Sequence, residues 1–145
     1  MLLAACRSTT NKPAEPERVH LEIVQLSGLA PSQPPGPLDV QIGVEVQNLT
    51  NQPFTVKRVE LSQVGRGAYV LQSGVAGVGG NRPYLFNTIV APGTQETVTF
   101  WQHAYAIGVR GSQNEHEPVT LRATIYFESP TGGFHQMTQQ IIDQH

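Results

Sequence analysis

Leu38-Asp39-Val40-Gln41-Ile42-Gly43-Val44-Glu45-Val46-Gln47 alternates without a break. Leu38, Val40, Ile42, Val44 and Val46 fall on one side, and Asp39, Gln41, Gly43, Glu45 and Gln47 on the other. Successive side chains of a strand point to opposite faces, so the stretch predicts a strand with one dry and one wet face. Antiparallel sheets tolerate that arrangement. No segment of the chain sustains a 3.6-residue period, so alternation of this kind decides the fold class.

The pattern recurs on both sides. Val19, Leu21 and Ile23 alternate with His20, Glu22 and Val24 in a first strand. The run Ala30-Pro31-Ser32-Gln33-Pro34-Pro35-Gly36-Pro37 must be a turn, because proline lacks the amide a central strand donates. Asn48-Leu49-Thr50-Asn51-Gln52-Pro53 carries turn chemistry. Phe54 to Val64 reads as a strand with Val59 and Leu61 inward, and Gly67 to Leu71 as a short one. SGVAGVGGNR (73–82) reads as a flexible glycine-rich loop. Tyr84 to Val90 pairs again, Ala91-Pro92-Gly93 turns the chain, and Glu96 to Gln102 follows with Val98 and Phe100 inward. Ala104 to Val109 fits either a short helical turn or a strand. After a polar loop, Arg110 to Glu117, the residues Val119, Leu121, Ala123, Ile125 and Phe127 alternate with polar neighbours. Ser129 to Gly133 has the length of a hairpin connection, and Phe134 to Ile142 closes the chain. Seven to eight strands at this spacing predict an all-β, immunoglobulin-like antiparallel β-sandwich over 19–142.

The chain has 145 residues, enough for one domain with its own core. Charged residues make up 14%, against roughly 25% in ordinary soluble proteins. Glutamine (14) and threonine (12) supply the polarity instead. Net charge is −2 and lysine occurs only at Lys12 and Lys57. That excludes the electrostatic footprint of a nucleic-acid binder and any basic run for an anionic membrane.

At the N-terminus Leu3-Ala4-Ala5-Cys6 contains the one cysteine, which rules out an internal disulfide. Small side chains ahead of it suit a cleavage site. Arg7 to Arg18 is polar, holds Pro13 and Pro16, and lacks the apolar content needed to fold, so a disordered, extended tether is expected over 7–18. Leu3-Ala4-Ala5-Cys6 resembles the lipobox of bacterial lipoproteins. That resemblance implies cleavage before Cys6, a diacylglycerol on its thiol, and residues 1–6 as the remnant of a signal peptide. It also implies lipid anchoring in the cell envelope, facing the periplasm or the surface. Arg7, where an Asp would favour the inner membrane, leans towards the outer membrane. The stretch departs from the family in one respect: only Met1 and Leu2 precede the box, where a basic and then an apolar region belong. A late start or a missing upstream segment is expected.

VQIGVEVQNLTNQPFTVKRVEL (40–61) forms a strand–Asn–turn–strand unit, and APGTQETVTF (91–100) a Pro-Gly turn before an outgoing strand. Both resemble the late-embryogenesis-abundant type 2 (WHy) domains and related bacterial envelope domains. The resemblance implies an exported β-sandwich that is not an enzyme. It covers these stretches only. Leu49 follows Asn48 where the family has Asn-Pro, and no Asn-Gly hairpin follows the second strand.

Motifs for chemistry are few. His20, His103, His116, His135 and His145 form no HExxH or His-x-His array. Glu115-His116-Glu117 are sequence neighbours in a loop and do not converge on one ion without contortion. With no Cys-x-x-Cys, no structural metal is expected, nor any cofactor. GVAGVGG lacks the Lys-Ser/Thr of a phosphate loop, GxSxG is absent, and no carboxylate pair for glycoside hydrolysis stands out. Asn48-Leu49-Thr50 matches a glycosylation sequon but sits where a turn wants Asn anyway. An enzyme with a non-obvious site is the third reading.

The binding candidates are aromatic. Trp101 is out of phase with Val98 and Phe100 and points outward. Tyr126 lies on an outer face with Arg122 and Thr124. Tyr69, Tyr84 and Tyr105 lie near the irregular central segment. Exposed aromatic rings stack on sugars or anchor proteins; alternatively, Trp101 packs under the glycine-rich loop. The expected function is a non-enzymatic, lipid-anchored binding module, its partner an envelope protein, polysaccharide or peptidoglycan and not a nucleic acid. The competing class is an assembly subunit that pairs through an edge strand.

Overall fold

The computed structural model describes residues 17–30, 34–72, 83–107 and 117–144. The lipobox Leu3, Ala4, Ala5 and Cys6, nearly all of the tether, the glycine-rich loop 73–82, and Glu115 and His116 lie outside the described residues.

Eight strands follow one another: β1 (Val19–Gln25), β2 (Gly36–Asn48), β3 (Phe54–Val64), β4 (Tyr69–Leu71), β5 (Tyr84–Val90), β6 (Gln95–Ala106), β7 (Val119–Ser129) and β8 (Gly132–Ile142). A first sheet has the order β1-β2-β6-β4 and a second the order β5-β3-β7-β8. Every pairing is antiparallel. The fold is the expected β-sandwich, with eight strands. Ala104 to Ala106 join β6. Gly36 and Pro37, expected in the proline-rich turn, instead open β2 opposite Ala106 and Tyr105, where β2 has no β1 neighbour to require the missing amide.

The alternation in β2 does what period two requires. Val40, Ile42, Val44 and Val46 are buried, and they meet Val56, Val59 and Leu61 of β3 and Leu121, Ala123, Ile125 and Phe127 of β7 in one core. Each of these side chains larger than alanine contributes roughly 1.5–3 kcal/mol through removal from water. In β3 the inward residues are Phe54 and Val56, then Val59 and Leu61. A bulge between Val56 and Arg58 absorbs the change of phase.

At one end of the sandwich, where the chain enters at Arg18, Val19 lies opposite Asn48 and Gln47 opposite Gln95. Phe54, Phe127 and Phe134 cluster there, with centroids 4.8–5.7 Å apart. At the other end Gly36 and Tyr69 both lie opposite Ala106.

Glutamine side chains close both edges of the first sheet. At the β1 edge, Gln140 of β8 accepts from the Ile23 amide (3.1 Å), and Gln136 donates to the Val19 carbonyl (3.3 Å). At the β4 edge, Gln63 of β3 donates to the Tyr69 carbonyl and accepts from the Leu71 amide, both at 2.8 Å. A primary carboxamide offers the same donor and acceptor as a peptide group, so it completes an edge without another strand.

Candidate functional site

Period two in β6 sends Val98, Phe100, Ala104 and Ala106 into the core. Trp101, His103 and Tyr105 therefore stand on the outer face of the first sheet. Trp101 is 57% exposed and Tyr105 46%; the alternative, Trp101 packing under the glycine-rich loop, concerns residues outside those described. Strand geometry spaces same-face neighbours about 7 Å apart, which puts the two aromatic residues about 14 Å apart with the imidazole between them.

The strands alongside complete this face. Register places Gln41 opposite Trp101, Asp39 opposite His103, and Pro37 and Val70 on either side of Tyr105. Nδ1 of His103 is hydrogen-bonded to Oδ1 of Asp39, and both side chains are largely exposed. Leu26, half-exposed, extends the apolar part beside Gln41, whose carbonyl accepts from the Leu26 amide (2.8 Å). A shallow depression of about 240 Å³ opens next to the pair, lined by Pro37, Leu38, Asp39, Gln72, His103 and Ala104. The support beneath is firm. Gln102, buried under the stripe, accepts from the Tyr84 hydroxyl (2.6 Å) and donates to the Gln72 and His103 carbonyls.

The sequence-predicted aromatic residues divide three ways. Trp101 and Tyr105 share the face just described. Tyr126 and Arg122 lie on the outer face of the second sheet. There the Arg58 guanidinium sits 4.0 Å over the Tyr126 ring, the Tyr126 hydroxyl donates to Glu60 (3.0 Å), and Arg122 donates to Gln139. One face of the Tyr126 ring is thus already taken. Tyr69 and Tyr84 are corrections. Tyr69 is fully buried, its hydroxyl donating to Gln25 (2.7 Å), and that burial pushes its pKa well above the usual phenol value. Tyr84 turns inward and stacks on Phe100 with centroids 4.1 Å apart. Tyr69 has no ring to offer a ligand, and Tyr84, half-buried, has one ring face taken by Phe100.

Sequence reasoning missed Asp39 and His103. The available signal was the phase of His103, two residues from both Trp101 and Tyr105. The pairing with Asp39 depends on the β2–β6 register, which alternation alone leaves open. Among the described residues no cluster of His, Cys, Asp and Glu is arranged to hold a metal.

No protein-family model matches the chain, and no curated protein does. Solved structures do resemble it. The structural-genomics target SoR45 has a TM-score of 0.50 at 13% identity, covering 90% of each chain. A Bordetella pertussis protein described as ApaA scores 0.46 at 14% identity, covering 91% of this chain and 98% of its own. A FixG-related protein from Vibrio parahaemolyticus scores 0.35 at 12% identity, covering 88% of this chain and 97% of its own. At such identities a likeness speaks to the fold alone.

Proposed function

We propose that this chain is a non-enzymatic binding module of the bacterial cell envelope, lipid-anchored through Cys6, with residues 7–18 as tether. The sandwich presents the outer face of the first sheet to an envelope component. One observation carries the recognition half of this reading: Trp101 and Tyr105 stand exposed on one face, flanking the Asp39–His103 pair, on a strand paired with β2 along its length and with β4 at Tyr105. Rings held by a rigid sheet bind without the entropy cost of ordering a loop. The anchoring half rests on Leu3-Ala4-Ala5-Cys6.

A second reading, assembly through an edge strand, draws on β5. This edge strand exposes Leu85 (76%) and Ile89 (67%). Glutamine side chains occupy part of both edges of the first sheet, which favours the second sheet for such pairing.

The test fuses the chain behind a lipoprotein leader and measures the intact mass of membrane-extracted protein, wild type against Cys6→Ser. A Cys6-dependent diacyl or triacyl increment is expected; an unmodified soluble chain overturns the anchor. Retention of the full-length Cys6→Ser protein on isolated bacterial envelopes tests recognition. Trp101→Ala with Tyr105→Ala should abolish it. Undiminished retention overturns the assignment of this face.

A further inference from the structure

We infer that the outer face of the first sheet binds a neutral glycan, with sugar rings seated on Trp101 and Tyr105 and hydroxyls gripped by the Asp39–His103 pair between them. This rests on the proposed use of that face and names its ligand class.

Three properties of the face select this chemistry. The first is the order of groups along β6: ring, polar pair, ring. A pyranose offers an apolar C–H face to an aromatic ring and a rim of hydroxyls to polar side chains, so such a chain meets both in alternation. The span of about 14 Å between Trp101 and Tyr105 exceeds a single sugar ring and suits a short oligosaccharide.

The second is what occupies the centre. Protein–protein interfaces exclude charged groups from their dry core and leave them at the rim. Here the polar pair lies between the two aromatic residues, with its His103 and Asp39 side chains 70% and 53% exposed. A protein partner covering both rings would have to strip water from that pair. Sugar hydroxyls replace that water with hydrogen bonds of the same kind.

The third is charge. None of the four strands of the first sheet contains a Lys or Arg. Glu22 and Glu45 lie opposite each other on the same outer face as Asp39. The strands of this face therefore disfavour a polyanion, such as an acidic polysaccharide or a nucleic acid, as its ligand.

The experiment uses full-length Cys6→Ser protein and isolated envelopes that are untreated, oxidised with periodate to open vicinal diols, or digested with protease. The expected result is retention that needs Trp101 and Tyr105, survives protease and falls roughly tenfold or more after periodate. Asp39→Ala should weaken it comparably, and Met137→Ala, on the opposite sheet, should not. Trp101 is the only tryptophan in the chain, so its emission should shift saturably with cellohexaose or chitohexaose and not with polygalacturonate. Retention lost to protease but not to periodate overturns the glycan and leaves the recognition face standing. Retention indifferent to Trp101 and Tyr105 overturns both. An emission shift with polygalacturonate alone overturns neutrality.

Discussion

The carboxamide of Asn48, at the end of β2, donates to the Val90 carbonyl at the end of β5 (2.9 Å), joining the two sheets through one buried side chain. Its nitrogen also donates to the Gln52 carbonyl (2.8 Å), and its oxygen accepts from the Thr50 amide and hydroxyl (2.8 and 2.7 Å). All four hydrogen-bonding positions of the amide are filled. Asn48→Ala leaves buried partners unpaired and should cost about 2–4 kcal/mol in urea unfolding. Asn48→Asp should be worse at neutral pH, because a carboxylate oxygen then faces two carbonyls. The fold favours the neutral acid there and raises its pKa above the unfolded value of about 3.9. That stability is present below about pH 4 and is lost as pH rises, so the Asp variant should close on Asn48→Ala on acidification. Equal stability of the Asp variant and wild type at pH 7 would contradict this account.

Tyr69 predicts an alkaline limit. Its phenol is buried, and its pKa is raised above the ordinary 10.0 by desolvation. In the unfolded chain it ionises near the ordinary value; in the folded chain it does not. Stability is therefore intact below pH 10 and falls as pH rises beyond it. Tyr69→Phe should flatten part of that fall while costing about 1 kcal/mol at pH 7 for the lost bond to Gln25. A fall of unchanged steepness in the variant would assign it to other groups.

Gly67 admits no side chain. A Cβ there would lie 2.5 Å from the Pro118 carbonyl oxygen and 2.9 Å from a Val119 methyl. The obstacle is mainly backbone at the start of β7, so relief requires moving the link between β3 and β4. Gly67→Ala should destabilise by about 1–3 kcal/mol. By contrast Gly43, also in a crowded place, meets only side-chain methyls of Val24, Leu26 and Thr97, and its Ala variant should cost less. Thermal melts of the two variants give the comparison, and the reverse order would refute it.

The glutamine-closed edges predict amide protection where a sheet edge would ordinarily exchange. Ile23 and Leu71 donate to Gln140 and Gln63. Gln140→Ala should accelerate exchange at Ile23, and Gln63→Ala at Leu71, each by roughly tenfold or more. Each variant should leave the other edge unchanged. Fast exchange at both amides in the wild type would rule out the closure.

Much of the architecture was legible in the sequence because period two is a local signal. β2 and β7 alternate for nearly their whole length, and the phase of Val98 and Phe100 was enough to turn Trp101 outward. Tyr69 and Tyr84 lay beyond the reach of that rule. β4 spans only three residues, and Tyr84 opens its strand beside the glycine-rich segment, so neither has enough alternation to set its face. The glutamine count was visible as composition, but its use was not. Gln63 acts across sheets on the next strand in the chain and Gln140 on a strand 117 residues away, and only the stacking of the sheets brings them to an edge. The Asp39–His103 pair is hidden for a related reason, since a register shift of two residues would preserve every face and separate the two.

β1 and β8 both run from the Asn48 end of the sandwich to the Tyr105 end, and Gln25 and Gln144 exchange hydrogen bonds where they finish. Arg18 therefore leaves the domain at one end and Gln144 at the other. Tension applied between them pulls β1 lengthwise along β2 and β8 lengthwise along β7. Neither ladder can be peeled one bond at a time; the seven register pairs of β1 and the eleven of β8 bear the load together. The domain is built to resist stretching along its long axis. In single-molecule pulling from these two ends it should yield at a higher force than when pulled from Arg18 and Leu49, which lie side by side at one end of the β1–β2 pair, so that the same bonds would open in sequence.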